Sequence, residues 1–389
     1  MNEDRTRRSF FGKVTAAGAA TALGAAPSHA AKRTASTCEL INVGVVGVGD
    51  GSHLNYDIWS PMINPVPGKQ WYGRTTRMKI THCWDRKPEV AAAYASEYGC
   101  EAVKNYDDMV GKVDGMIFGG FYEVKWWPQL TRPYLEAGIP CHINRPFAYS
   151  MKAARDMIER AKKHNTQIQC TDEREFIKES VTARGKIEQL LKEGKNILGV
   201  NSDNSAGYEY PAHGVHGLYY LLAILGLDVH QVSLQADSWW NNVTETSRKK
   251  MEYGLLTLQY NGIDIPGVGK QDKKFMVAQQ QLTGYASNAN MRIYYDGGWW
   301  DIDNHWTYND RAMRMFTLFF PTVLQMQRLF ETREMIWDYD YILKKTNIFL
   351  AGFKSHLEHN GGFVRLTDVP EEWEAPCPHP DWIDESIFG

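Results

Sequence analysis

An apolar run from Leu40 to Val48 that ends in closely spaced glycines is the feature that most constrains the fold of this chain. A short, continuously apolar segment is typical of a strand that is buried on both faces. Further strands are predicted at Met78–Trp84 and Gly115–Phe118, and helical periodicity with a leading proline predicts a helix at Pro88–Tyr98. Buried strands that alternate with helices predict an α/β domain with a doubly wound parallel sheet.

The glycine-rich turn after the first strand predicts a nucleotide site. Its glycines allow a tight turn and let backbone N–H groups approach a pyrophosphate at the N-terminus of a helix. The candidate cofactor-binding residues of this turn are Gly47, Val48, Gly49, Gly51, Ser52 and His53. Ser52 stands at the third glycine position of the usual motif, and Asp50 places a carboxylate near the expected phosphate. An ordinary strand-to-helix turn is therefore the alternative.

An acidic residue, Asp85, ends the second strand, where it can accept hydrogen bonds from the ribose hydroxyls of NAD. Its separation from Gly49 exceeds the usual twenty or so residues because of an insert between Leu54 and Arg77. Asp85 would repel the 2′-phosphate of NADP, whereas Arg86 beside it keeps NADP open as the alternative. Tightly bound NAD is the predicted cofactor, and Asp85 and Arg86 are predicted to contact it.

Residues 1–30 resemble a twin-arginine export signal. Arg7 and Arg8 precede two phenylalanines, a weakly apolar stretch follows to Ala26, and Pro27–Ala30 resembles a cleavage site. Signals of this class direct folded proteins to the twin-arginine export machinery, which predicts a periplasmic or otherwise exported protein that carries its cofactor with it. A disordered or amphipathic basic N-terminus is the alternative.

Charge and hydropathy exclude several classes of protein. The 43 Lys and Arg residues against 46 Asp and Glu residues give a formal charge of −3, which argues against a binder of nucleic-acid phosphates. A mean hydropathy of −0.45, without an apolar run of about 18 residues, excludes a multispanning membrane protein. The six cysteines are scattered, and Cys83, Cys141 and Cys170 fall in apolar segments. Inert core thiols are therefore favoured over a disulfide framework.

Four segments in their order and spacing resemble the Gfo/Idh/MocA oxidoreductase family. They are Val43–Gly49, Trp84–Glu89, Tyr134–Pro146 and the tail Asn347–Leu366. The resemblance covers nearly all of the chain after the signal. It implies a Rossmann domain over residues 31–171 and a C-terminal α/β domain over residues 172–389 with an open, mostly antiparallel sheet. It also implies NAD(P), a sugar or polyol substrate and a homo-oligomer.

Two departures from the family pattern affect the candidate catalytic residues. The family usually has Glu-Lys-Pro where this chain has Asn144-Arg145-Pro146, a segment that the resemblance assigns to cofactor and substrate binding. An arginine does not give up its proton, so Arg145 can orient or neutralise a group but cannot relay a proton. In the second domain Ala212 replaces the aspartate of the family's Asp-x-Gly-x-His, while His216 matches the histidine.

Oxidation of a secondary alcohol needs a base, and His216 is the first candidate because histidine titrates near neutral pH. His213 or Tyr208 is expected to orient the substrate or relay its proton. The fork of Arg145 suits a carboxylate near the nicotinamide, which predicts an acidic sugar or a derivative of one. No metal is predicted, because His213-x-x-His216 lacks the spacing of common zinc helices and has no obvious partner carboxylate.

The favoured function is an NAD(P)-dependent oxidoreductase that acts on a sugar or sugar-derived alcohol by hydride transfer. The alternative is a redox-neutral glycosidase, lyase or epimerase that oxidises a sugar carbon only transiently. The segment Tyr210–Gly214 motivates it, because it resembles a Tyr-Pro-x-His-Gly string of an NAD-dependent glycosidase branch of the same superfamily. A non-catalytic nucleotide- or sugar-binding protein is the third hypothesis.

The C-terminal half predicts an antiparallel sheet followed by two helices. The predicted strands are Gly199–Ser205, Val232–Ser238, Gly254–Tyr260, Phe275–Leu282 and Met291–Tyr295, and the predicted helices are Arg311–Glu331 and Asp340–His359. Some of the rings in the doublets Trp126-Trp127, Trp239-Trp240 and Trp299-Trp300 are expected to line the substrate pocket. The proline-rich tail around Cys377–Asp381 is expected to be an extended arm that packs on a neighbouring subunit.

Overall fold

The structure of the protein is a computed structural model, and it describes most of the chain from residue 39 onward. The described ranges are 39–55, 58–68, 76–204, 210–238, 242–244, 247–249, 253–265, 267–271, 276–283, 289–302 and 311–389. The predicted export signal, Tyr208 and the doublet Trp239-Trp240 lie outside the described residues.

Six parallel strands form the N-terminal sheet in the order β3-β2-β1-β4-β5-β6. They are β1 (Ile41–Val46), β2 (Met78–Trp84), β3 (Glu101–Ala102), β4 (Gly115–Phe118), β5 (Cys141–Ile143) and β6 (Ile168–Cys170). The strand order reverses between β1 and β4, at the switch point where doubly wound sheets bind ligands. The predicted Rossmann-type parallel sheet is confirmed, as are the predicted bounds of β2 and β4.

Four α-helices accompany this sheet in the described part of the chain. They are α1 (Ser60–Ile63), α2 (Pro88–Tyr98), α3 (Trp127–Glu136) and α4 (Met151–Lys163). The helix expected directly after the glycine turn does not form, because residues 47–55 make turns and α1 is a single short turn. Ser52 accounts for this: its Oγ accepts a hydrogen bond from the backbone N–H of Leu54 at 3.1 Å, and its backbone pairs with Gly120. A side chain bonded to the backbone in this way favours a turn over a helix.

A second sheet of seven strands has the order β16-β15-β7-β14-β11-β8-β17. Its strands are β7 (Ile197–Asn204), β8 (Val229–Ala236), β11 (Tyr253–Tyr260), β14 (Met276–Thr283), β15 (Ala289–Tyr295), β16 (Gly298–Ile302) and β17 (Val364–Arg365). Two short hairpins add β9 (Asn242–Thr244) with β10 (Ser247–Lys249), and β12 (Ile263–Ile265) with β13 (Gly269–Gln271). The pair β7–β14 is parallel and the other described pairs of this sheet are antiparallel, so the predicted mostly antiparallel sheet is confirmed.

Among the described residues of the C-terminal half there are four longer helices. They are α5 (Lys178–Lys192), α6 (Val215–Leu225), α7 (Arg311–Thr332) and α8 (Tyr339–His359). Every residue of α6 is buried, so this helix belongs to the core, where it packs against β7 and β14 of the second sheet. The predicted domain division between residues 171 and 172 stays a prediction. Among the described helices, none combines the length and the apolar character needed to cross a bilayer.

Two of the expectations concern buried side chains, the cysteines and the first tryptophan doublet. Cys83, Cys141 and Cys170 are free and buried in strands of the parallel sheet, which confirms them as core thiols. Trp126 and Trp127 are fully buried in the first domain, so the expectation that this doublet lines a pocket is wrong. Their rings were needed to fill the core behind β4, where Trp127 packs edge-on against Phe118 at 5.6 Å.

Two further expectations concern the surface residue Trp299 and the C-terminal arm. Trp299 is 61% exposed on β16, at an edge of the second sheet. The C-terminal arm packs on the first domain of its own chain, since Glu385 forms an ion pair with Lys125 at 3.0 Å and accepts a hydrogen bond from the indole of Trp126. Packing of the segment Cys377–Asp381 on a neighbouring subunit stays a prediction.

Candidate functional site

The glycine turn after β1 is locked to the end of β2. Gly47 and Gly51 both have φ of +73°, a conformation that favours glycine. Asp85 accepts a hydrogen bond from the backbone N–H of Gly49 at 2.7 Å through Oδ2, and one from that of Lys87 at 3.1 Å through Oδ1. A cavity of about 300 Å³ lies over this junction.

The residues around this cavity fit the adenosine half of NAD. A Cβ at position 49 would lie 2.9 Å from Oδ2 of Asp85, so the absent side chain lets this carboxylate approach the backbone of Gly49. Burial raises the pKa of Asp85, and the N–H groups of Lys87 and Gly49 oppose that shift. Each carboxylate oxygen can accept more than one hydrogen bond, so Asp85 can still receive the ribose hydroxyls. Val48 and Arg86 also line the cavity.

Ser52 and His53 are not among the residues that line the cavity. The ring of His53 instead packs edge-on against Trp59 at 4.7 Å and Phe319 at 5.1 Å. Burial lowers the pKa of His53 well below its usual range, and the charge of Arg145 lowers it further. Its Nδ1 is buried and has no hydrogen-bond partner among the described residues. The structure thus places a neutral His53 beside the candidate catalytic residues rather than over the cofactor cavity.

Asn144, Arg145 and Pro146 follow β5 directly, at the same edge of the sheet as the glycine turn. The amide of Asn144 donates a hydrogen bond to the carbonyl of Gly119 at 2.7 Å. Its Oδ1 accepts one from the backbone N–H of Arg145 at 3.0 Å and one from Nη1 of Arg145 at 3.3 Å. A cis peptide bond joins Arg145 to Pro146. Asn144 therefore connects the end of β4 to the guanidinium of Arg145.

Arg145, His216 and Asp172 form a buried hydrogen-bonded chain. Nη2 of Arg145 lies 2.5 Å from Nε2 of His216, and Nδ1 of His216 lies 2.5 Å from Oδ2 of Asp172. Arginine only donates hydrogen bonds, so Nε2 must accept one and the ring proton must lie on Nδ1, which donates to Asp172. Burial lowers the pKa of His216 well below its usual range, and the charge of Arg145 lowers it further. His216 is accordingly a neutral ring with both nitrogens bonded.

The chain is part of a larger buried cluster with three charges of each sign. Its members are Arg145, Arg174 and Lys345, with Asp172, Glu173 and Glu175. Arg145 Nε lies 3.4 Å from Asp172 Oδ2, Arg174 Nη1 lies 3.3 Å from Glu173 Oε1, and Lys345 Nζ lies 2.9 Å from Glu175 Oε1. Buried charge is tolerated when it is paired and hydrogen-bonded, and this cluster carries no net charge when all six groups are ionised.

A capping box explains why the acidic residues gather directly after β6. Asp172 accepts a hydrogen bond from the backbone N–H of Arg174 at 2.9 Å, while Glu175 accepts one from that of Asp172 at 2.8 Å. This reciprocal arrangement satisfies two N–H groups at the start of the short 3₁₀ helix that follows. Glu175 also accepts hydrogen bonds from Trp337 at 2.6 Å and Lys345 at 2.9 Å. The carboxylate of Asp172 is thereby fixed towards His216.

Glu173 is a buried carboxyl group whose pKa is raised towards neutral. Burial raises its pKa to about 7, and the neighbouring charge of Asp172 contributes to the rise. Its Oε1 lies 3.3 Å from Nδ1 of His216. A carboxyl group that titrates near neutral pH within such a cluster is typical of sites that move protons.

His213 lies close to this chain and is half-buried. It belongs to a five-residue π-helical turn, Tyr210–Gly214, that leads into α6, and such turns occur often at functional sites. Its ring lies 5.9 Å from that of His216 and 5.9 Å from that of Phe121. The structure thus brings together Arg145, His213 and His216 as the sequence predicted.

Asp172, Glu173 and His216 also place three possible metal-ligand atoms within 4.8 Å of one another. No carboxylate near His216 was evident from the sequence, because Asp172 and Glu173 come from a segment more than forty residues earlier. Arg145 already contacts both Asp172 and His216, so a positive charge lies where an ion would bind. The cluster is explained by its ion pairs without a metal.

Comparison with known families bears on the first domain. Residues 41–171 match the GFO_IDH_MocA model, described as "Oxidoreductase family, NAD-binding Rossmann fold". These residues form a Rossmann-type domain that is similar to the NAD-binding domain described by this model. The predicted resemblance is confirmed for this part of the chain, and NAD is confirmed as the cofactor type of the Rossmann family. No curated protein matches the sequence significantly.

Solved structures extend the likeness to the second domain. Unliganded scyllo-inositol dehydrogenase from Lactobacillus casei is 15% identical with a TM-score of 0.63, and the match covers 85% of this chain and 100% of that chain. The same enzyme with bound NAD(H) and scyllo-inositol is 16% identical with a TM-score of 0.61, and the match covers 85% of this chain and 100% of that chain. GenD2 from gentamicin A biosynthesis, in complex with NAD, is 11% identical with a TM-score of 0.64, and the match covers 88% of this chain and 99% of that chain. At these identities the likeness establishes the fold alone, a parallel Rossmann-type sheet followed by a mostly antiparallel sheet.

Sequence reasoning missed Asp172, Glu173 and the ring of Trp382, which lines the cofactor cavity. The run Asp172–Glu175 carried a usable signal, because four charged residues directly after a buried strand lie at the carboxyl edge of the sheet, where ligands bind. No sequence pattern indicated Trp382, because the position of its ring depends on the path of the long C-terminal tail.

Proposed function

We propose that this chain is an NAD-dependent oxidoreductase that transfers a hydride between nicotinamide and a secondary alcohol of a sugar or polyol. The position of the Arg145–His216–Asp172 chain in the fold supports this proposal. Arg145 follows β5 and Asp172 follows β6, at the carboxyl edge of the sheet whose β1 turn and Asp85 frame the cofactor cavity. In doubly wound sheets cofactor and substrate meet at that edge.

Bound NAD supplies the hydride acceptor, and the residues of this chain bind the alcohol and remove its proton. Arg145 donates hydrogen bonds and so orients a substrate oxygen, but it does not take the proton. Its guanidinium is held in place by Asn144 and by His216. His216 cannot accept a substrate proton at Nε2 while Nε2 accepts the hydrogen bond from Arg145. We therefore assign His216 to positioning and the half-buried His213 to proton acceptance.

We propose a hydroxyl-rich neutral substrate in preference to the acidic sugar that Arg145 alone indicated. Asp172 lies 3.4 Å from Nε of Arg145, so the charge of the guanidinium is compensated within the protein. A compensated guanidinium still donates directed hydrogen bonds to hydroxyl groups, whereas its attraction for a carboxylate is weakened. The comparison that tests this is turnover of a neutral sugar against that of its uronic acid, where faster turnover of the acid would contradict the preference.

The function is tested by denaturing the purified protein and identifying the nicotinamide that it releases. We expect NAD(H), and we expect net NADH formation when NAD and inositols or neutral sugars are supplied. Glycoside cleavage or epimerisation without net NADH would favour the redox-neutral alternative. A protein that neither contains nor binds a nicotinamide nucleotide would contradict both readings.

Export through the twin-arginine machinery and assembly as a homo-oligomer stay proposals for this chain. Replacing Arg7 and Arg8 by lysines should retain the protein in the cytoplasm, while the purified protein should sediment as a multimer. Unchanged export would contradict the first proposal, and a monomer at all concentrations the second.

A further inference from the structure

The C-terminal tail, defined here as residues 370–389, runs from the second domain to the cofactor cavity of the first. It starts shortly after β17, and the backbone N–H of Ala375 donates a hydrogen bond to the carbonyl of Tyr149 at 2.8 Å. Beyond that point Glu385 pairs with Lys125 at 3.0 Å, and the ring of Phe388 packs against Tyr106 at 5.4 Å. The tail is thus attached to the Rossmann domain on both sides of residues 379–382.

Trp382 lies between these two attachments and faces the cavity. Its ring lines the cavity together with Val48, Gly49 and Asp85. The guanidinium carbon of Arg86 lies 3.6 Å from the centre of the Trp382 ring, and the ring of Tyr122 packs edge-on at 5.0 Å. A flat indole with a stacked guanidinium therefore forms one wall of the cavity.

We propose that Trp382 is a cofactor-binding residue, and that its ring with the guanidinium of Arg86 forms the wall on which the adenine of NAD packs. The tail then retains the cofactor by closing the adenosine end of the site. Trp382 lies outside the residues 41–171 that match the family model. The inference rests on the proposed NAD-dependent function.

The chemistry of the wall matches that of adenine. Adenine is a flat aromatic base, and bases stack favourably on tryptophan rings and on arginine planes. The wall is also preorganised, because the contact with Arg86 and the anchors at Ala375 and Glu385 are formed within the protein. A preorganised wall adds affinity because little freedom is lost on binding.

The same contact bears on the choice between NAD and NADP. In the sequence, Arg86 supports NADP as the alternative cofactor, because its guanidinium could bind a 2′-phosphate. In the structure that guanidinium lies over the Trp382 ring, and the carboxylate of Asp85 stands next to it at the end of β2. Trp382 thus helps to hold Arg86 in the wall rather than at a phosphate position.

The test compares two tryptophans of the same tail. Trp382→Ala removes the wall, Trp382→Phe retains an aromatic ring, and Trp373→Ala is the matched control. Trp373 packs against Lys354 at 5.3 Å and donates a hydrogen bond to Glu358, both on α8. For each protein we measure the nicotinamide released on denaturation, and the NADH affinity and release rate of the cofactor-free protein.

We expect Trp382→Ala to weaken NADH binding about tenfold or more and to lower the retained cofactor, as when a base loses its aromatic stacking partner. Trp382→Phe should restore most of the affinity, and Trp373→Ala should match the unmodified protein. Equal NADH affinity in Trp382→Ala and Trp373→Ala would overturn the inference and leave the proposed function standing. An unmodified protein that binds no nicotinamide would instead overturn the proposed function.

Folding of each variant is checked by circular dichroism. If Trp382→Ala does not fold, Arg86→Ala removes the stacked partner without changing the tail. Weakened NADH binding by Arg86→Ala supports the inference, and unchanged binding overturns it.

Discussion

Nη2 of Arg145 lies 2.5 Å from Nε2 of His216, and the two residues hold each other in a single arrangement. The arginine can only donate, so the histidine accepts at Nε2 and donates from Nδ1 to Asp172. The sequence assigned base chemistry to this histidine, whereas the structure uses its lone pair to fix a guanidinium.

Removing the imidazole of His216 should disable catalysis while the cofactor stays bound. His216→Ala leaves Arg145 without its acceptor, so we expect turnover to fall by at least about 100-fold, the scale seen when a positioning contact is lost. Retained NAD(H) should match that of the unmodified protein, because His216 does not line the cofactor cavity. Near-normal turnover in the folded variant would remove His216 from the mechanism.

Replacing Arg145 by lysine restores the residue type that the Gfo/Idh/MocA pattern usually has at this position. The ammonium of lysine is a point charge and cannot bond His216 and Asn144 with the planar geometry of a guanidinium. We expect Arg145→Lys to lower kcat/KM about 10- to 100-fold, with the loss mainly in kcat. An unchanged or raised kcat/KM would show that the fork of Arg145 has no role in orientation.

The pKa of Glu173, raised to about 7, makes the stability of the protein depend on pH. The folded state holds this proton up to about pH 7, whereas an unfolded glutamate releases it near pH 4.3. The stabilising contribution is therefore complete at low pH and is lost as the pH rises through about 7. Glu173→Gln, which resembles the protonated form, should flatten this part of the urea-unfolding profile and be the more stable protein above about pH 7.

The control for this experiment is Glu159→Gln on the exposed face of α4. Its unfolding profile should follow that of the unmodified protein across the same pH range. A Glu173→Gln variant whose profile has the same slope as the control would show that Glu173 does not carry the proton.

The sequence predicted the parallel sheet well because its strands are buried on both faces and read as continuous apolar runs. Val43, Val45 and Val46 in β1 are fully buried, and the predicted bounds of β2 and β4 agree with the structure. The strand β16 was missed because its two tryptophans follow glycines, and Trp299 is exposed at a sheet edge.

Within the candidate site, only the residues that belong to short sequence motifs could be predicted. Arg145, His213 and His216 carried their own motifs, and the structure brings them together. Asp172 is bonded to His216, but it comes from another element of the chain, so only the fold reveals this contact. Lys345 reaches Glu175 from α8, and no local pattern indicates that contact.

Lys345 is the only cation bonded to Glu175 among the described residues, and both side chains are buried. Lys345→Met should lower the free energy of unfolding by about 3–5 kcal/mol, because it leaves an uncompensated buried carboxylate. The double variant with Glu175→Gln should lose less than the sum of the two single losses. Lys192→Met is the control: that lysine is 71% exposed, so its pair with Glu188 should contribute at most about 1 kcal/mol. Strictly additive losses would contradict the coupling.

Replacing Gly51 by alanine tests whether the glycine turn after β1 requires glycine at this position. Its φ is +73°, and a Cβ there would lie 2.3 Å from the ring of Tyr122. Gly51→Ala should therefore lower the free energy of unfolding by about 1–3 kcal/mol and weaken NADH binding, since the turn or the ring must shift. Gly185→Ala in the exposed part of α5 meets open space and should raise stability by up to about 1 kcal/mol. If urea unfolding gave both variants the same change, the turn would not require glycine at this position.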